Sequence, residues 1–397
     1  MKIAVVHDYF TQQGGAEKVA EVIYNMLPGA DLFATVAFKD KLPESLQNVK
    51  VHTSWMQRLP FIRRYYRFYF PLYPLAVESL DLRNYDLVIS SSSSYVKGVR
   101  AHPNAIHVCY CHTPMRWVWS YETYSARESF GGPVRAILPT VIRALRSWDS
   151  GAARQPDHFI ANSNVVAQRI KRAYHRHAEV IQPPIEIERF EVSHERGDYY
   201  IILSRLVSYK RIDLAVEAFT RMGKKLVVMG DGPALAGLRS HAGPTIQFLG
   251  RVSDKEVEKQ VSRCMALIFP GEEDFGMAPL EVAASGRPTI GYRAGGAVES
   301  IAENETGVFF DRQTVEDLID AVERFEKLEW SPTVIRRHAE KFSVQVFQDR
   351  LAKFLQRVGI PIETEDIVRL ENRVELRTAI KLKSERLKEI DDLQPSR

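Results

Sequence analysis

The chain has 397 residues, which is too long for one ordinary domain and predicts two domains of about 150–200 residues each. Hydrophobic residues make up 45% of the chain and charged residues 26%, a composition typical of globular rather than disordered proteins. The formal net charge of +4 does not indicate a nucleic-acid-binding protein, and three cysteines are too few for a disulfide-stabilised fold.

The N-terminal sequence Met-Lys-Ile-Ala-Val-Val contains an apolar run that is too short for a signal peptide. No stretch of the sequence reaches the roughly 18–20 apolar residues that a membrane-spanning helix needs. We therefore expect a cytoplasmic protein that is either soluble or peripheral on the inner face of the cell membrane.

Short β-rich runs alternate with helical patterns along the chain. Several runs are apolar throughout, which is typical of parallel strands buried on both faces. This alternation predicts an α/β protein with two Rossmann-like, doubly wound domains that face a central cleft. The predicted strands are 3–6, 87–90, 106–111, 158–161, 200–203, 226–229, 246–249, 266–269 and 289–291, and predicted helices include 16–27, 164–174, 212–221 and 254–263.

The domain boundary is predicted at Gln182-Pro183-Pro184-Ile185. Two prolines supply no backbone donors and disfavour a helix, so this segment is expected to be an extended linker. The first domain is then 1–182 and the second 183–342. In doubly wound sheets ligands bind beyond the carboxyl ends of the strands, so the segments that follow each strand are the candidates for a site.

Gly14-Gly15-Ala16-Glu17 follows the first predicted strand and opens a helical pattern. Glycine permits a close approach of the backbone, and a helix start offers free N–H groups to an anion. The segment therefore indicates a phosphate-binding loop, although a Gly-Gly pair before a helix is also common in simple turns.

Arg205 and Lys210 follow the strand predicted at 200–203 and precede a helix. Both side chains can reach one anion if the loop turns back at the helix start. The alternative is a pair of solvated cations. Cations at a helix N-terminus oppose the helix dipole, and a bound anion would remove that conflict.

The strongest motif is the segment 270–281, which follows an apolar strand. Glu273 lies in the loop and Glu281 in the next helix, where both carboxylates can accept hydrogen bonds from sugar hydroxyls. The N–H groups near 276–278 would meet a phosphate at the helix start. A solvated acidic loop at 272–274 is the alternative, but it does not explain Glu281.

These motifs together resemble those of the GT4-type family of retaining glycosyltransferases, over nearly the whole chain to about residue 357. The family usually has glycine where this chain has Asp274. The resemblance implies a GT-B fold in which a C-terminal helix, 343–360 here, crosses back onto the first domain. It is carried by five elements: Gly14-Gly15, Arg205 with Lys210, Glu273 with Glu281, Gly295-Gly296-Ala297-Val298-Glu299, and Phe342-Ser343 before a helix.

The resemblance also implies roles for individual residues. Arg205 and Lys210 would hold the donor diphosphate, Glu281 the ribose hydroxyls, and Glu273 the transferred sugar. The nucleobase would lie near Arg251 and Val252. The complete donor-binding set is Gly14, Gly15, Arg205, Lys210, Arg251, Val252, Glu273, Phe275, Gly276, Met277, Ala278 and Glu281, and the catalytic set is His112, Arg205, Lys210 and Glu273.

Cys109-Tyr110-Cys111-His112 ends a strand of the first domain. By resemblance, His112 lines the acceptor side of the cleft, where its imidazole could bind a sugar hydroxyl or orient the acceptor. A zinc site is the alternative, but no second pair of ligands accompanies these residues. Buried structural cysteines are the simpler interpretation.

A basic aromatic stretch without acidic residues covers 55–73. On one continuous helix its aromatic side chains would share a face opposite the arginines, which suits an anionic membrane surface or a lipid-diphosphate acceptor. The alternative is that the aromatic rings pack on the first sheet and the arginines are merely exposed. The membrane or acceptor contacts are predicted at Arg58, Arg63, Arg64 and Arg67.

Two segments carry no chemical assignment. The serine run 90–94 is predicted to be a loop at a strand end. The charged tail 361–397 is predicted to be helical and solvated, and a homodimer or membrane contact through it is the alternative.

The resemblance implies front-face transfer without a metal or other cofactor, since no Asp-x-Asp pair follows a strand. The His112 segment and the region near Lys97 look most like bacterial mannosyltransferases of polysaccharide assembly. We therefore favour GDP-mannose over UDP-sugars as the donor and a lipid-linked glycan as the acceptor. A sugar-nucleotide epimerase and a non-enzymatic nucleotide-sugar-binding scaffold are the alternatives.

Overall fold

A computed structural model describes residues 1–119, 132–193 and 195–361, with the backbone alone for 132–137. The predicted tail beyond residue 361, and the dimer contact predicted for it, lie outside the described residues. Two parallel sheets form the described part of the chain, in the strand orders β3-β2-β1-β4-β5-β6-β7 and β10-β9-β8-β11-β12-β13. The strands are β1 Ile3–Phe10, β2 Asp31–Ala37, β3 Val51–Thr53, β4 Leu87–Ser92, β5 Ile106–Cys111, β6 His158–Ala161, β7 Ala178–Val180, β8 Tyr199–Leu203, β9 Lys225–Met229, β10 Ile246–Gly250, β11 Leu267–Phe269, β12 Thr289–Tyr292 and β13 Gly307–Phe310.

Helices cover both faces of each sheet, as expected for doubly wound α/β domains. The predicted fold of two Rossmann-like domains is confirmed. The helices are α1 Gly15–Asn25, α2 Ile62–Tyr65, α3 Tyr73–Glu78, α4 Arg116–Trp119, α5 Gly132–Ala152, α6 Asn164–Tyr174, α7 Ile212–Met222, α8 Leu235–His241, α9 Asp254–Arg263, α10 Met277–Ala284, α11 Ala297–Ser300, α12 Val315–Glu326, α13 Pro332–Glu340 and α14 Val344–Arg357.

Each sheet is buried on both faces because its strands are apolar at consecutive positions. In β1, Val5 packs into the cluster beneath α1, whereas Ala4 and Val6 pack into the cluster on the opposite face. In β8, Ile201 and Ile202 likewise point into two different clusters. Side chains alternate between the faces of a strand, so continuous apolar runs are what a sheet with two covered faces requires.

The last described helix, α14, returns to the first domain. Ser343 caps its start by accepting a hydrogen bond from the N–H of Val346, and Phe347 and Leu351 pack into the core beneath the first sheet. The N–H of Ile185 donates to the carbonyl of Phe342 at 2.8 Å, so the two chain passages between the domains run side by side. The predicted crossing of the C-terminal helix is confirmed.

Two local expectations are wrong. The predicted serine loop lies largely within β4, which continues to Ser92. The aromatic stretch does not form one helix, because α2 ends at Tyr65 and turns follow it. Tyr66 and Phe70 turn inward and pack on the face of the first sheet that carries Ala4 and Val6. Phe61 and Phe68 remain 77% and 76% exposed. Tertiary packing thus overrides the helical spacing. No helix of the described residues is long and apolar enough to cross a membrane.

The packing of α14 generates a stability prediction. Leu351 is fully buried, whereas Leu328 is 40% exposed after α12. Leu351→Ala should lower the free energy of unfolding by about 3 kcal/mol, since it removes buried methyl groups and leaves a cavity. The matched change Leu328→Ala should cost under about 1 kcal/mol. Urea unfolding followed by fluorescence measures both, and equal losses would contradict the docking of α14.

Candidate functional site

The carboxyl ends of the two sheets face each other, and side chains after the strands meet across the gap. After β1, Gln12 accepts a hydrogen bond from Arg205 at 3.1 Å, and Gln13 accepts one from Arg251 at 3.0 Å. Lys18 of α1 lies 3.4 Å from Glu281 of α10. The predicted donor residues therefore line a cleft between the domains.

The Gly14-Gly15 loop lies against the start of α10. A β-carbon placed on Gly15 would lie 2.6 Å from the sulfur of Met277. A larger residue here would make the Met277 side chain shift, so Gly15 lets the first turn of α1 lie next to the first turn of α10. The helix starts that the sequence assigned to phosphate binding thus lie on opposite sides of the same gap.

Lys210 and Glu273 form the central pair on the second domain. The Nζ of Lys210 lies 2.7 Å from Oε1 of Glu273, so the residues predicted to hold the diphosphate and the sugar are in contact. Burial acts to lower the pKa of Lys210, but the Glu273 carboxylate raises it above its ordinary value. Lys210 therefore carries a positive charge at neutral pH, while Arg205 is exposed at the cleft side of the same loop.

A second glycine pair supports the loop that carries Glu273. The N–H of Gly296 donates to the carbonyl of Glu273 at 2.8 Å. A β-carbon on Gly296 would lie 2.1 Å from the α-carbon of Phe275. This contact gives the Gly295-Gly296 motif a physical role, because only glycine lets one loop pack directly on the backbone of the other. Among the other predicted donor residues, Phe275 and Gly276 are buried, and Val252, Met277 and Ala278 pack at the edge of the same core.

The acidic loop is paired rather than solvated. Asp274 accepts hydrogen bonds from Arg116 and Arg169 of the first domain, with Arg116 Nη2 at 2.5 Å from Oδ1. Arg169 also lies 3.0 Å from Glu272. The guanidinium of Arg116 stacks 5.3 Å above the ring of Tyr209, within the Arg205–Lys210 loop. These arginines were not among the predicted site residues, and Arg116 lies four residues after His112.

His112 directly follows β5 on the first domain's side of the cleft. Its Nε2 lies 2.8 Å from the hydroxyl of Ser91, and Ser91 in turn contacts Nδ1 of His7 at 3.1 Å. Burial lowers the pKa of His112 to about 3 and that of His7 to about 4. Both imidazoles are therefore neutral at pH 7.

The cysteines beside His112 face the protein interior. Cys109 and Cys111 pack with Phe159 and Val166, and burial raises the pKa of Cys111 well above its ordinary value. His112 is turned towards Ser91 instead. Within the described ranges, no three His, Cys, Asp or Glu side chains are grouped as a metal site.

The first turn of α1 also contains a buried acid that was not predicted as a site residue. Glu17 is 2% exposed, and its Oε2 has no hydrogen-bond partner. Burial raises the pKa of Glu17 to about 7. Its place in the sequence Gly14-Gly15-Ala16-Glu17 was the only signal that could have found it.

The basic aromatic stretch forms an exposed surface of the first domain. Arg58, Arg63, Arg64 and Arg67 are all exposed, and Arg63 forms two hydrogen bonds to Asp40 at 2.6 and 2.9 Å. Phe70 connects the stretch to α4, the helix that follows His112, because its ring lies 5.0 Å from that of Trp117. These four arginines are not brought together with the donor residues.

Family models match the two halves of the chain. The model described as Glycosyltransferase Family 4 matches residues 13–189, and the model described as Glycosyl transferases group 1 matches residues 184–342. The chain belongs to the GT4 family of glycosyltransferases. The predicted family is confirmed, and the two matched regions contain every site residue predicted from the sequence.

Curated relatives of this GT4 protein include mannosyltransferases. A GDP-mannose-dependent alpha-mannosyltransferase of Corynebacterium glutamicum is 34% identical over 110 residues, which cover 28% of this chain and 26% of that protein. A human alpha-1,3/1,6-mannosyltransferase is 24% identical over 292 residues, covering 63% of this chain and 67% of that protein. The matched part of the chain thus spans from about a quarter to two thirds of these relatives' lengths.

Solved structures match over most of the described fold. Anabaena HepE in complex with UDP aligns with a TM-score of 0.67 at 17% identity, covering 90% of this chain and 100% of that chain. Sucrose-phosphate synthase from Thermosynechococcus elongatus aligns with a TM-score of 0.69 at 14% identity, covering 90% of this chain and 99% of that chain. At these identities the likeness establishes the fold, and the predicted GT-B architecture is confirmed.

Proposed function

We propose that this GT4 protein transfers a hexosyl group from a nucleotide-sugar donor to a lipid-linked or glycan acceptor, with retention of anomeric configuration, in polysaccharide biosynthesis. The observation that carries the proposal is the Lys210–Glu273 pair at 2.7 Å, set opposite the Gly14-Gly15 loop. A cation for the diphosphate and a carboxylate for sugar hydroxyls are what such a donor needs at one point of the cleft.

The chemistry proceeds at the anomeric carbon of the donor. The bond from this carbon to the diphosphate oxygen breaks, and the acceptor hydroxyl attacks from the same face. The acceptor proton passes to the departing phosphate oxygen. Arg205, Lys210 and the first N–H groups of α10 stabilise the charge that develops on the diphosphate, so no divalent metal is needed.

Positioning across the cleft supplies a further part of the rate enhancement. Most donor contacts come from the second domain, whereas the Gly14-Gly15 loop and the acceptor side come from the first, so the reacting atoms meet only when the domains face each other. We favour GDP-mannose as the donor because the mannosyltransferase relatives include a GDP-mannose-dependent enzyme. UDP-sugars are the alternative, and a sugar-nucleotide epimerase is a weaker one.

Metal independence and retention are tested in one reaction. The protein is incubated with GDP-mannose or UDP-sugars, a lipid-linked acceptor and excess EDTA, and the product is analysed by NMR. We expect transfer in EDTA and a product with the donor's anomeric configuration. Loss of activity that magnesium restores would contradict metal independence, and an inverted product would contradict retention. Isomerised donor would indicate an epimerase, and no turnover of any donor a binding scaffold.

The diphosphate contact predicts the effect of removing Arg205. Arg205→Ala should weaken the affinity for the nucleoside diphosphate by more than about tenfold, because a charge-assisted hydrogen bond contributes about 1.5–3 kcal/mol. Calorimetry with GDP and UDP measures this change. Arg221→Ala, which removes an exposed arginine of α7 paired with Glu217, is the matched control and should bind normally. Unchanged affinity of Arg205→Ala would remove the loop from the site.

We further propose that the surface of residues 55–73 attaches the enzyme peripherally to an anionic membrane, where a lipid-linked acceptor would lie. The stretch exposes four arginines together with the rings of Phe61 and Phe68, a combination that suits phosphate headgroups around inserted aromatic side chains.

Vesicle binding tests this membrane proposal. Arg63→Glu, Arg64→Glu and Arg67→Glu together should abolish co-sedimentation with anionic vesicles at low salt, since the attraction is electrostatic. Phe61→Ser with Phe68→Ser should weaken binding without changing the charge. The triple reversal Arg221→Glu, Lys224→Glu and Lys225→Glu, on the second domain, is the charge-matched control. Binding by the first triple variant equal to that of the control would show that the stretch is structural.

A further inference from the structure

Three neighbouring strands place His7, Ser91 and His112 side by side at the carboxyl edge of the first sheet. His7 of β1 is in register with Ser91 of β4, and the N–H of His112, directly after β5, donates to the carbonyl of Ser92 at 2.8 Å. All three side chains are buried or nearly so. The strand order β1-β4-β5 therefore places these three polar side chains in a row, and His112 is at the cleft end of that row.

The hydrogen bonds among His7, Ser91 and His112 determine which ring nitrogens carry a proton. Nδ1 of His7 lies 3.1 Å from the carbonyl oxygen of Ser91, and a carbonyl oxygen only accepts, so Nδ1 carries the hydrogen. The same N–H points to the Ser91 hydroxyl oxygen at 3.1 Å, and among the described residues His112 Nε2, at 2.8 Å, is the partner that can accept the buried hydroxyl proton. His112 Nε2 is thus the acceptor.

A neutral imidazole has one N–H, and in His112 it must then be on Nδ1. Burial keeps His112 neutral, with its pKa lowered to about 3, and the neighbouring His7 acts in the same direction. Within the described part of the chain, no group hydrogen-bonds to His112 Nδ1, and His112 as a residue is 7% exposed. The Nδ1–H is available to a ligand in the cleft.

We infer that Ser91 and His7 are positioning residues that hold His112 as its Nδ1–H tautomer, so that His112 donates a hydrogen bond to an oxygen of the bound sugar. The inference rests on the proposed glycosyl transfer. It also explains why the acceptor proton goes to the departing phosphate: the only unprotonated nitrogen of His112 already accepts from Ser91, so His112 does not act as the general base.

The tautomer is measured directly by long-range ¹H–¹⁵N NMR of protein labelled at histidine, without any substrate. We expect an Nδ1–H, uncharged His112 between pH 6 and pH 8. In Ser91→Ala the ring nitrogen shifts of His112 should move towards a mixture of tautomers. An Nε2–H or charged His112 in the wild type, or an unchanged His112 spectrum in Ser91→Ala, would overturn the inference.

A neighbouring serine provides a matched control. Ser90 is also buried in β4, and its hydroxyl lies 2.8 Å from Nε2 of His107, in the same kind of bond on the other face of the strand. Ser90→Ala should leave the His112 signals and the transfer rate unchanged. Ser91→Ala should lower kcat by about tenfold at an unchanged donor KM, as expected for the loss of orientation by one neutral hydrogen bond. Equal effects of both variants would indicate a merely structural role.

Two substitutions of His112 separate its ring nitrogens. The amide of Asn can place an N–H near the Nδ1 position, and that of Gln near the Nε2 position. His112→Asn should therefore retain about tenfold more activity than His112→Gln. The reverse order, or a wild-type rate that falls on protonation near pH 6.5 and loses this dependence in His112→Asn, would identify His112 as a base. If no donor is turned over, the proposed function fails, while the NMR result still decides the tautomer.

Discussion

The geometry of the site depends on charge pairs that cross the cleft at Asp274. Each domain has its own core, so neither sheet by itself fixes the distance between His112 and the Lys210–Glu273 pair. Asp274 joins them, because its carboxylate binds Arg116 and Arg169 of the first domain. The three side chains are only 20–28% exposed, so solvent screens their attraction less than at an open surface. The glycine that GT4 proteins usually have at this position has no side chain and could not make these contacts.

The chain passages between the domains are the second constraint. Ile185 and the Phe342-Ser343 segment are hydrogen-bonded to each other, and α14 then anchors the end of the described chain in the first core. A movement of the domains must therefore pivot near these paired segments, where the ring of Phe342 lies 5.8 Å from that of Phe275. Such a hinge lets the Asp274 contacts form or break while both sheets stay rigid, which is how two-domain enzymes admit and enclose substrates.

The sequence predicted the long-range plan better than the edges of the sheets. Strands 106–111 and 158–161 and helices 164–174 and 254–263 were located correctly, because their apolar periodicity is uninterrupted. Four strands were missed: the interior strand β2, the edge strand β13, and the edge strands β3 and β7, whose three residues are too few to show a period. At 61–69 the aromatic spacing fitted a helix, but inward packing of Tyr66 and Phe70 decided the backbone.

The motif cations and acids could be found because they follow strands at fixed spacings, and the parallel-sheet rule places such segments at one edge. His7, Ser91 and Arg116 could not be found in this way. Their roles depend on strand register and on the facing of two domains, and neither is encoded in sequence spacing. The departure from glycine at Asp274 was the one visible sign that the two sides of the cleft interact through side chains.

Buried polar groups of the first domain fix the path of the chain where the serine run 90–94 ends. Asp8 accepts hydrogen bonds from four consecutive N–H groups, those of residues 93–96, at 2.5–2.9 Å, and so holds the chain as it leaves β4.

Lys97, next along the chain, is fully buried against Asp149 at 2.5 Å, and Asp149 also accepts from Trp119 and Tyr174. An unpaired buried charge would be costly, so Lys97 and Asp149 depend on each other. Lys97 is therefore a structural residue rather than a contact for the donor. Asp8 follows His7 and its bonds hold the residues that follow Ser91, so the backbone on both sides of the His7–Ser91 contact is tied by hydrogen bonds, which favours a single orientation of the His112 ring.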